Sequence, residues 1–112
     1  MAKKDRSDTP PYRVFVLPFL KPIGQRFLIP TWLAIAIFRW IFAWRPLDDA
    51  ELAHELVHIK QWRQNGPLYI WRYMSESSRA KKSGGDRYRD NKFEVEAYAA
   101  ENAIREQQRA RN

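Results

Sequence analysis

The densest run of apolar residues lies at positions 34–44, where the sequence reads AIAIFRWIFAW. Its Ile, Phe and Trp residues are typical of strands, and the pattern predicts two short buried strands that join around Phe38 and Arg39. The longer stretch 27–44 approaches the length of a membrane span. However, Pro30 interrupts it, and Arg39 would cost about 2.5–3.5 kcal/mol on insertion. We therefore favour the strands, with a membrane segment as the alternative.

A shorter apolar run precedes this block at residues 12–20 and predicts a further strand. Pro18 has no backbone N–H to donate, which limits the strand to the edge of a sheet. Pro22, Gly24 and Pro30 then indicate turns between this strand and the apolar block.

The first predicted helix has a clear start and a clear end. Asp48 is a suitable N-cap residue, and Glu51 lies three residues later, as in a capping box. The helix is expected to run to about Asn65, because Gly66 and Pro67 follow it.

Two further helices are predicted after this point. Pro67 can serve as the first residue of a helix that continues to about Ser78. Residues 79–90 form a basic loop, and Asn91 caps a third helix, which is expected to fray from Arg105 onwards. Residues at helical spacing give this helix one apolar face: Phe93, Ala97, Ala100 and Ile104.

Together these elements predict an α+β fold, a small β-hairpin or sheet followed by three helices. The chain has 112 residues, of which 45% are hydrophobic. Those values fit one compact domain and exclude a disordered or collagen-like chain. We place the domain at residues 12–108, with a flexible basic N-terminal tail at residues 1–11 and a C-terminal tail at residues 109–112.

Charge and cysteine content restrict the partners and the chemistry. The chain has no cysteine, which excludes disulfides, thiol catalysis and Cys-based zinc fingers. The net charge is +7, but no nucleic-acid-binding motif accompanies the basic residues of 79–89, so we favour a solvated face over nucleic-acid binding. The first apolar run lacks a cleavage site, which favours a cytoplasmic protein. Peripheral membrane contact is the alternative, because Trp and Arg mix in 27–44 as they do at membrane interfaces.

The only two histidines lie in one string, His54-Glu55-Leu56-Val57-His58, on the first predicted helix. Residues four apart stand one above the other on a helix face, so both imidazoles can bind one metal ion. Glu55 flanks the same position and can take a proton from water that the metal acidifies. The pattern predicts a divalent metal site built for hydrolysis.

Two histidines leave such a site one protein ligand short, and the chain has no other His or Cys. The third ligand should therefore be a carboxylate of the third helix, which carries Glu94, Glu96 and Glu101. At about 100° per residue, Glu94 and Glu96 flank the apolar face on opposite sides, so geometry does not choose between them. Two imidazoles and one carboxylate favour Zn²⁺ as the cofactor.

Two segments of the chain resemble the small gluzincin-type zinc metallopeptidases. LDDAELAHELVHIKQW and YRDNKFEVEAYAAE are similar to the family's H-E-L-x-H-x-x-Q motif and its later N-P-x-E-x-E-A segment. The resemblance implies a zincin-like core with a strand or hairpin beside the active-site helix. It also implies that His54 and His58 are zinc ligands and that Glu55 is the catalytic base. Gln61 matches the family's Gln, for which the sequence gives no role.

The family's E-x-x-x-D pattern falls on Glu94 and Tyr98. This alignment implies that Glu94 is the third zinc ligand. In the family the Asp of this pattern holds a zinc-bound His. Tyr98 stands in its place here, and its hydroxyl is the expected substitute.

Peptide hydrolysis also needs a donor for the developing oxyanion. Tyr88 and Arg89, just before the third helix, and Tyr98 within it are the candidates, together with Tyr73. The expected function is that of a zinc-dependent metallopeptidase with a peptide or protein substrate. The alternative is a catalytically silent metal-binding interaction module, membrane-associated or not, because a chain this short leaves little wall for a substrate cleft.

Overall fold

The computed structural model describes residues 11–111 and shows an α+β fold, as predicted. Residues 1–10 and 112, which include most of the expected N-terminal tail, lie outside the described part. The elements in chain order are β1 (Arg13–Val16), α1 (Leu20–Phe27), β2 (Ala34–Ile37), β3 (Trp40–Ala43), α2 (Asp49–Asn65), a 3-10 turn (Gly66–Leu68), α3 (Tyr69–Lys82) and α4 (Lys92–Arg111).

The apolar block at residues 34–44 forms the predicted hairpin. β2 and β3 are antiparallel, with Ala36 opposite Ile41, and the chain reverses direction at Phe38 and Arg39. The strand interpretation of this block is therefore confirmed. Among residues 11–111, no helix has the length and apolar character needed to cross a membrane.

β1 and the hairpin turn complete the sheet. β1 pairs in parallel with β3 and lies at the sheet edge, as Pro18 predicts. Phe38 in the turn has a φ of 56°, a left-handed conformation that is uncommon for a bulky residue. The Phe38 and Trp62 ring centroids are 4.5 Å apart, so this contact holds the turn against α2.

The turns expected at residues 21–30 are wrong in part, because α1 occupies most of this stretch. Pro22 falls in the first turn of α1, where its missing N–H removes no intrahelical hydrogen bond. Gly24 is buried against Trp32, and a Cβ atom at this position would lie 1.9 Å from a ring carbon. Gly24 therefore serves close packing, and neither residue marks a turn here.

The inner face of the sheet packs on α2. The indole N–H of Trp62 donates to the carbonyl oxygen of Ala36 at 2.9 Å and ties α2 to β2. The apolar core between the two elements consists of Ala36, Ile41 and Ile59, with Tyr12, Ala34, Leu47, Leu52 and Leu56 packed against it.

Two helices extend further than predicted. α3 continues past Ser78 to Lys82 and ends before Gly84, whose φ is 90°. α4 continues to Arg111, although fraying was expected from Arg105. Ion pairs one turn apart stabilise the end of α4: Glu101 with Arg105, and Glu106 with Arg109.

Candidate metal centre

The N-cap of α2 sets the start of the helix that carries the histidines. Asp48 Oδ1 accepts the N–H of Glu51 at 2.7 Å, and Glu51 Oε1 accepts the N–H of Asp48 at 3.0 Å. The predicted capping box is therefore confirmed. His54 and His58 follow on the side of α2 that faces α4, with ring centroids 5.1 Å apart.

α4 contributes a carboxylate to the same place. Asn91 is fully buried and caps α4, because its Oδ1 accepts the N–H of Phe93 at 2.8 Å. Its Nδ2 donates to the carbonyl oxygen of Tyr73 at 3.0 Å and to Ser77 Oγ at 2.9 Å, which fixes the first turn of α4 against α3. Glu94 lies in that turn, and its carboxylate crosses to α2.

The two imidazoles converge on one oxygen of this carboxylate. Glu94 Oε1 lies 3.1 Å from His54 Nε2 and 3.1 Å from His58 Nε2. His54, His58 and Glu94 are only 5%, 7% and 4% exposed. Ligands about 2.0–2.1 Å from a tetrahedral zinc ion are separated by about 3.3 Å. This donor set therefore fits Zn²⁺.

The second oxygen of Glu94 is already engaged. The hydroxyl of Tyr73 donates to Glu94 Oε2 at 2.5 Å. This hydrogen bond leaves Oε1 as the oxygen available to a metal. Tyr73 is a candidate oxyanion donor from the sequence, but in the structure its hydroxyl donates to the Glu94 oxygen that does not face the histidines.

The Nδ1 atom of each imidazole, on the side of the ring away from Glu94, contacts a hydrogen-bond acceptor. His54 Nδ1 lies 2.9 Å from Glu101 Oε1, and His58 Nδ1 lies 2.9 Å from Gln61 Oε1. Protonation of Nδ1 leaves the lone pair of Nε2 free for a metal, and such partners raise ligand basicity. These partners would keep the proton on Nδ1 when a metal displaces the proton on Nε2.

Gln61 acquires a role that the sequence does not give. It is 1% exposed, and its Nε2 donates to the carbonyl oxygen of Phe93 at 3.0 Å and to Glu96 Oε1 at 2.8 Å. Tyr69 donates to its Oε1 at 2.7 Å. Gln61 therefore orients His58 and links it to α4.

Tyr98 and Glu96 do not occupy the positions in the site that the sequence analysis considered for them. The acceptor on His54 is Glu101, and the substitution of the Tyr98 hydroxyl in that role is wrong. Tyr98 instead packs edge-on against His54, with ring centroids 4.7 Å apart. Glu96 is exposed and accepts from Gln61, so the structure brings Glu94 and not Glu96 to the histidines.

Glu55 lies beside the cluster with a buried side chain. It is 9% exposed, and no side-chain hydrogen bond to it occurs among residues 11–111. Burial raises the pKa of Glu55, and the neighbouring His58 and His54 only partly oppose this increase. Within residues 11–111, Trp32 Nε1 is the one fully buried side-chain polar atom that lacks a hydrogen-bond partner, so the oxygens of Glu55 keep some contact with solvent.

The three candidate oxyanion donors gather on the His54 side of the cluster. The Tyr88 ring centroid is 6.0 Å from that of Tyr98, and the Arg89 guanidinium lies 5.8 Å from the Tyr98 ring centroid. Burial raises the pKa of Tyr88 and of Tyr98, so both phenols stay protonated and can donate. Arg89, Tyr98 and Glu101 also line an open cavity of about 490 Å³.

Without bound metal, the free energy of unfolding of the chain should depend on pH through His58 and Glu94. Burial lowers the pKa of His58, but the hydrogen bond and charge of Glu94 outweigh this effect and raise it to about 9. Burial raises the pKa of Glu94, but hydrogen bonds from His54 and His58 outweigh this effect and lower it to about 2. The contribution of His58 is complete below 6.5 and is lost as the pH rises through about 9. The contribution of Glu94 is complete above 4.5 and is lost as the pH falls through about 2.

We therefore expect the thermal midpoint of the metal-free chain to be highest between pH 4.5 and 6.5. Zinc requires deprotonated imidazoles, so the rise in midpoint caused by zinc should grow from pH 6.5 to about pH 8. Thermal denaturation with and without zinc measures both effects. A zinc-induced rise that is the same at the two pH values would contradict this expectation.

Removal of the outer partner of His54 should weaken metal binding. We expect Glu101→Ala to lower zinc affinity about ten- to a hundredfold. Glu106→Ala is the matched control, because each Glu pairs with an Arg of α4 but only Glu101 contacts a histidine. Competition titration with a zinc chelator measures the two affinities, and equal losses in both variants would exclude the orienting role.

Comparisons with protein-family models, with curated proteins and with solved structures find no match to this chain. The resemblance to gluzincin-type metallopeptidases therefore rests on the residues of the two motifs.

Proposed function

We propose that this chain is a minimal zinc-dependent metallopeptidase. In this proposal His54, His58 and Glu94 hold one Zn²⁺, and Glu55 is the general base. The observation that carries the proposal is the convergence of His54 Nε2 and His58 Nε2 on Glu94 Oε1, at 3.1 Å each.

Three protein ligands favour a catalytic site over a structural one. Structural zinc sites have four protein ligands, whereas catalytic sites have three and keep one position open. When bound, zinc supplies Lewis acidity that polarises a carbonyl group and lowers the pKa of water. The cluster within residues 11–111 offers two imidazoles and one carboxylate, which is the set for hydrolysis.

Glu55 has the position of a proton carrier. It follows His54 directly, and none of the hydrogen bonds of residues 11–111 occupies its carboxylate. Glu55 takes a proton from the attacking water and returns it to the amine of the leaving peptide. Tyr98 packs against His54 and Tyr88 packs against Tyr98. In this proposal their hydroxyls stabilise the negative charge that develops on the substrate oxygen.

A catalytically silent metal-binding module is the second candidate function. It is favoured by the burial of all three proposed ligands, since none of these residues is more than 7% exposed. In this case the metal would fasten α2 to α4 and add folding free energy without turnover.

Hydrolysis of a mixed peptide library by the zinc-loaded chain distinguishes the two functions. We expect cleavage products that disappear when zinc is removed with a chelator and return when zinc is added back. The peptidase proposal fails if the chain holds one zinc ion and leaves the whole library intact, whereas the silent module predicts that result.

A further inference from the structure

Charge is distributed unevenly between the two parts of the chain. Residues 11–47, here called the N-terminal lobe, contain β1, α1, β2 and β3. The lobe carries five basic residues and no Asp or Glu, whereas residues 48–112 carry twelve basic and eleven acidic residues. The basic residues of the lobe are Arg13, Lys21, Arg26, Arg39 and Arg45.

The apolar side of α1 points away from the protein. Phe19, Ile23 and Phe27 recur every four residues and lie within about 80° of one another around the helix. These three side chains are 63%, 49% and 73% exposed. Gly24, on another side of α1, is buried against Trp32. An amphipathic helix of a globular protein normally buries its apolar stripe, so this orientation calls for a partner.

Two further apolar residues of the lobe are exposed. Leu28, directly after α1, is 54% exposed, and Phe15 on the edge strand is 38% exposed. Two cations also lie over one tryptophan ring of the lobe: Lys21 Nζ is 4.7 Å and the Arg45 guanidinium 5.5 Å from the Trp44 ring centroid. Aromatic rings with adjacent cations are the side-chain chemistry of a membrane–water interface.

We propose that the N-terminal lobe docks on an anionic lipid bilayer, with Phe19, Ile23 and Phe27 inserted among the acyl chains and Arg26, which flanks them on α1, against the phosphates. The charge of the lobe favours this partner over a second copy of the chain. Two copies that associate through this lobe would bring two positively charged lobes together, because each carries five basic residues and no Asp or Glu. This surface is independent of the metal centre, since α2 meets the sheet through Ile59 and meets α4 through the histidines.

Vesicle co-sedimentation of the full chain tests the proposal. We expect binding to phosphatidylcholine vesicles that contain phosphatidylglycerol to be at least about tenfold tighter than binding to phosphatidylcholine alone, and to weaken as salt is raised. The triple variant Phe19→Ser/Ile23→Ser/Phe27→Ser should lose at least about tenfold in affinity, because the inserted apolar area is removed. Arg26→Glu, which reverses the charge beside the inserted side chains, should weaken binding to the anionic vesicles in the same assay.

A matched control comes from α3, where three apolar side chains are exposed to a similar degree. Ile70, Trp71 and Met74 are 53%, 73% and 54% exposed, in the part of the chain where charges nearly balance. Ile70→Ser/Trp71→Ser/Met74→Ser should bind anionic vesicles within about twofold of the unmodified chain. Unchanged zinc uptake and circular dichroism in every variant would show that the fold is intact.

Three results would overturn the proposal. The first is that the unmodified chain does not bind anionic vesicles, and the second is that the α1 and α3 variants lose vesicle affinity equally. The third is a concentration-dependent dimer that dissociates in Phe19→Ser/Ile23→Ser/Phe27→Ser, with vesicle binding unchanged in every variant. The last result would assign the surface to a second copy of the chain. None of these results bears on zinc binding or hydrolysis.

Discussion

Glu94→Gln should lower zinc affinity by more than about a hundredfold, beyond the loss expected for an outer partner such as Glu101. The amide preserves the shape of the side chain but removes the negative charge that faces both histidines. In the metal-free chain, Glu94 Oε1 is the atom that His54 Nε2 and His58 Nε2 share. A neutral amide oxygen is a poor replacement for a carboxylate ligand of Zn²⁺.

Glu96→Gln is the control for this prediction. It makes the same chemical change two residues later on the same helix, where the side chain is exposed and accepts from Gln61. Competition titration of both variants with a zinc chelator should show a large loss only for Glu94→Gln. A larger loss for Glu96→Gln would reassign the third ligand, and unchanged affinity in both variants would remove the carboxylate from the site.

Glu55→Gln should separate metal binding from turnover. General acid–base catalysis contributes about 10²–10⁴-fold to rate, so we expect hydrolysis by the zinc-loaded variant to fall by about this factor. Zinc affinity should stay close to that of the unmodified chain, because His54, His58 and Glu94 all remain. The thermal midpoint should be equal or higher, since the change removes a charge from a largely buried position where burial already raises the pKa of Glu55.

Glu106→Gln supplies the comparison, since its side chain is exposed near the end of α4. Its rate of hydrolysis should equal that of the unmodified chain. If Glu55→Gln keeps both its zinc and its full rate of hydrolysis, Glu55 is not the base. If neither the unmodified chain nor Glu55→Gln hydrolyses peptides while zinc is bound, the catalytically silent metal-binding module is the better description.

The predictions that the structure confirms were made from short sequence patterns. The capping box of Asp48 and Glu51 requires only residues three apart, and the end of α2 at Asn65 follows from Gly66 and Pro67. The hairpin turn at Phe38 and Arg39 follows from the single polar break in an apolar block. In each case the determining residues are close together in sequence.

The choice of the third donor needed the tertiary structure. Glu94 and Glu96 flank the apolar face of α4 on opposite sides, so the rotation of α4 against α2 decides which one reaches the histidines. That rotation is fixed by buried Phe93 and Ala97 and by the Asn91 cap, whose amide reaches across to α3. No feature of α4 alone contains this information.

Two residues with roles at the site were not assigned from sequence. Glu101 lies seven residues after Glu94, which is two helical turns and hence the same face of α4, and this spacing could have identified it. Alignment to the family's pattern directed attention to Tyr98 instead. Gln61 orients His58 one turn below it on α2, but its amide also depends on Phe93 and Glu96, which only the folded chain brings near.

X-ray absorption at the zinc edge of the zinc-loaded chain identifies the donor atoms around the metal. We expect one zinc per chain, two imidazole nitrogens at about 2.0–2.1 Å and carboxylate or water oxygens at about 2.0–2.2 Å. The two-imidazole signal should disappear in His58→Ala. A chain that takes up no zinc, or zinc whose spectrum shows no imidazole, would contradict the assignment of His54, His58 and Glu94.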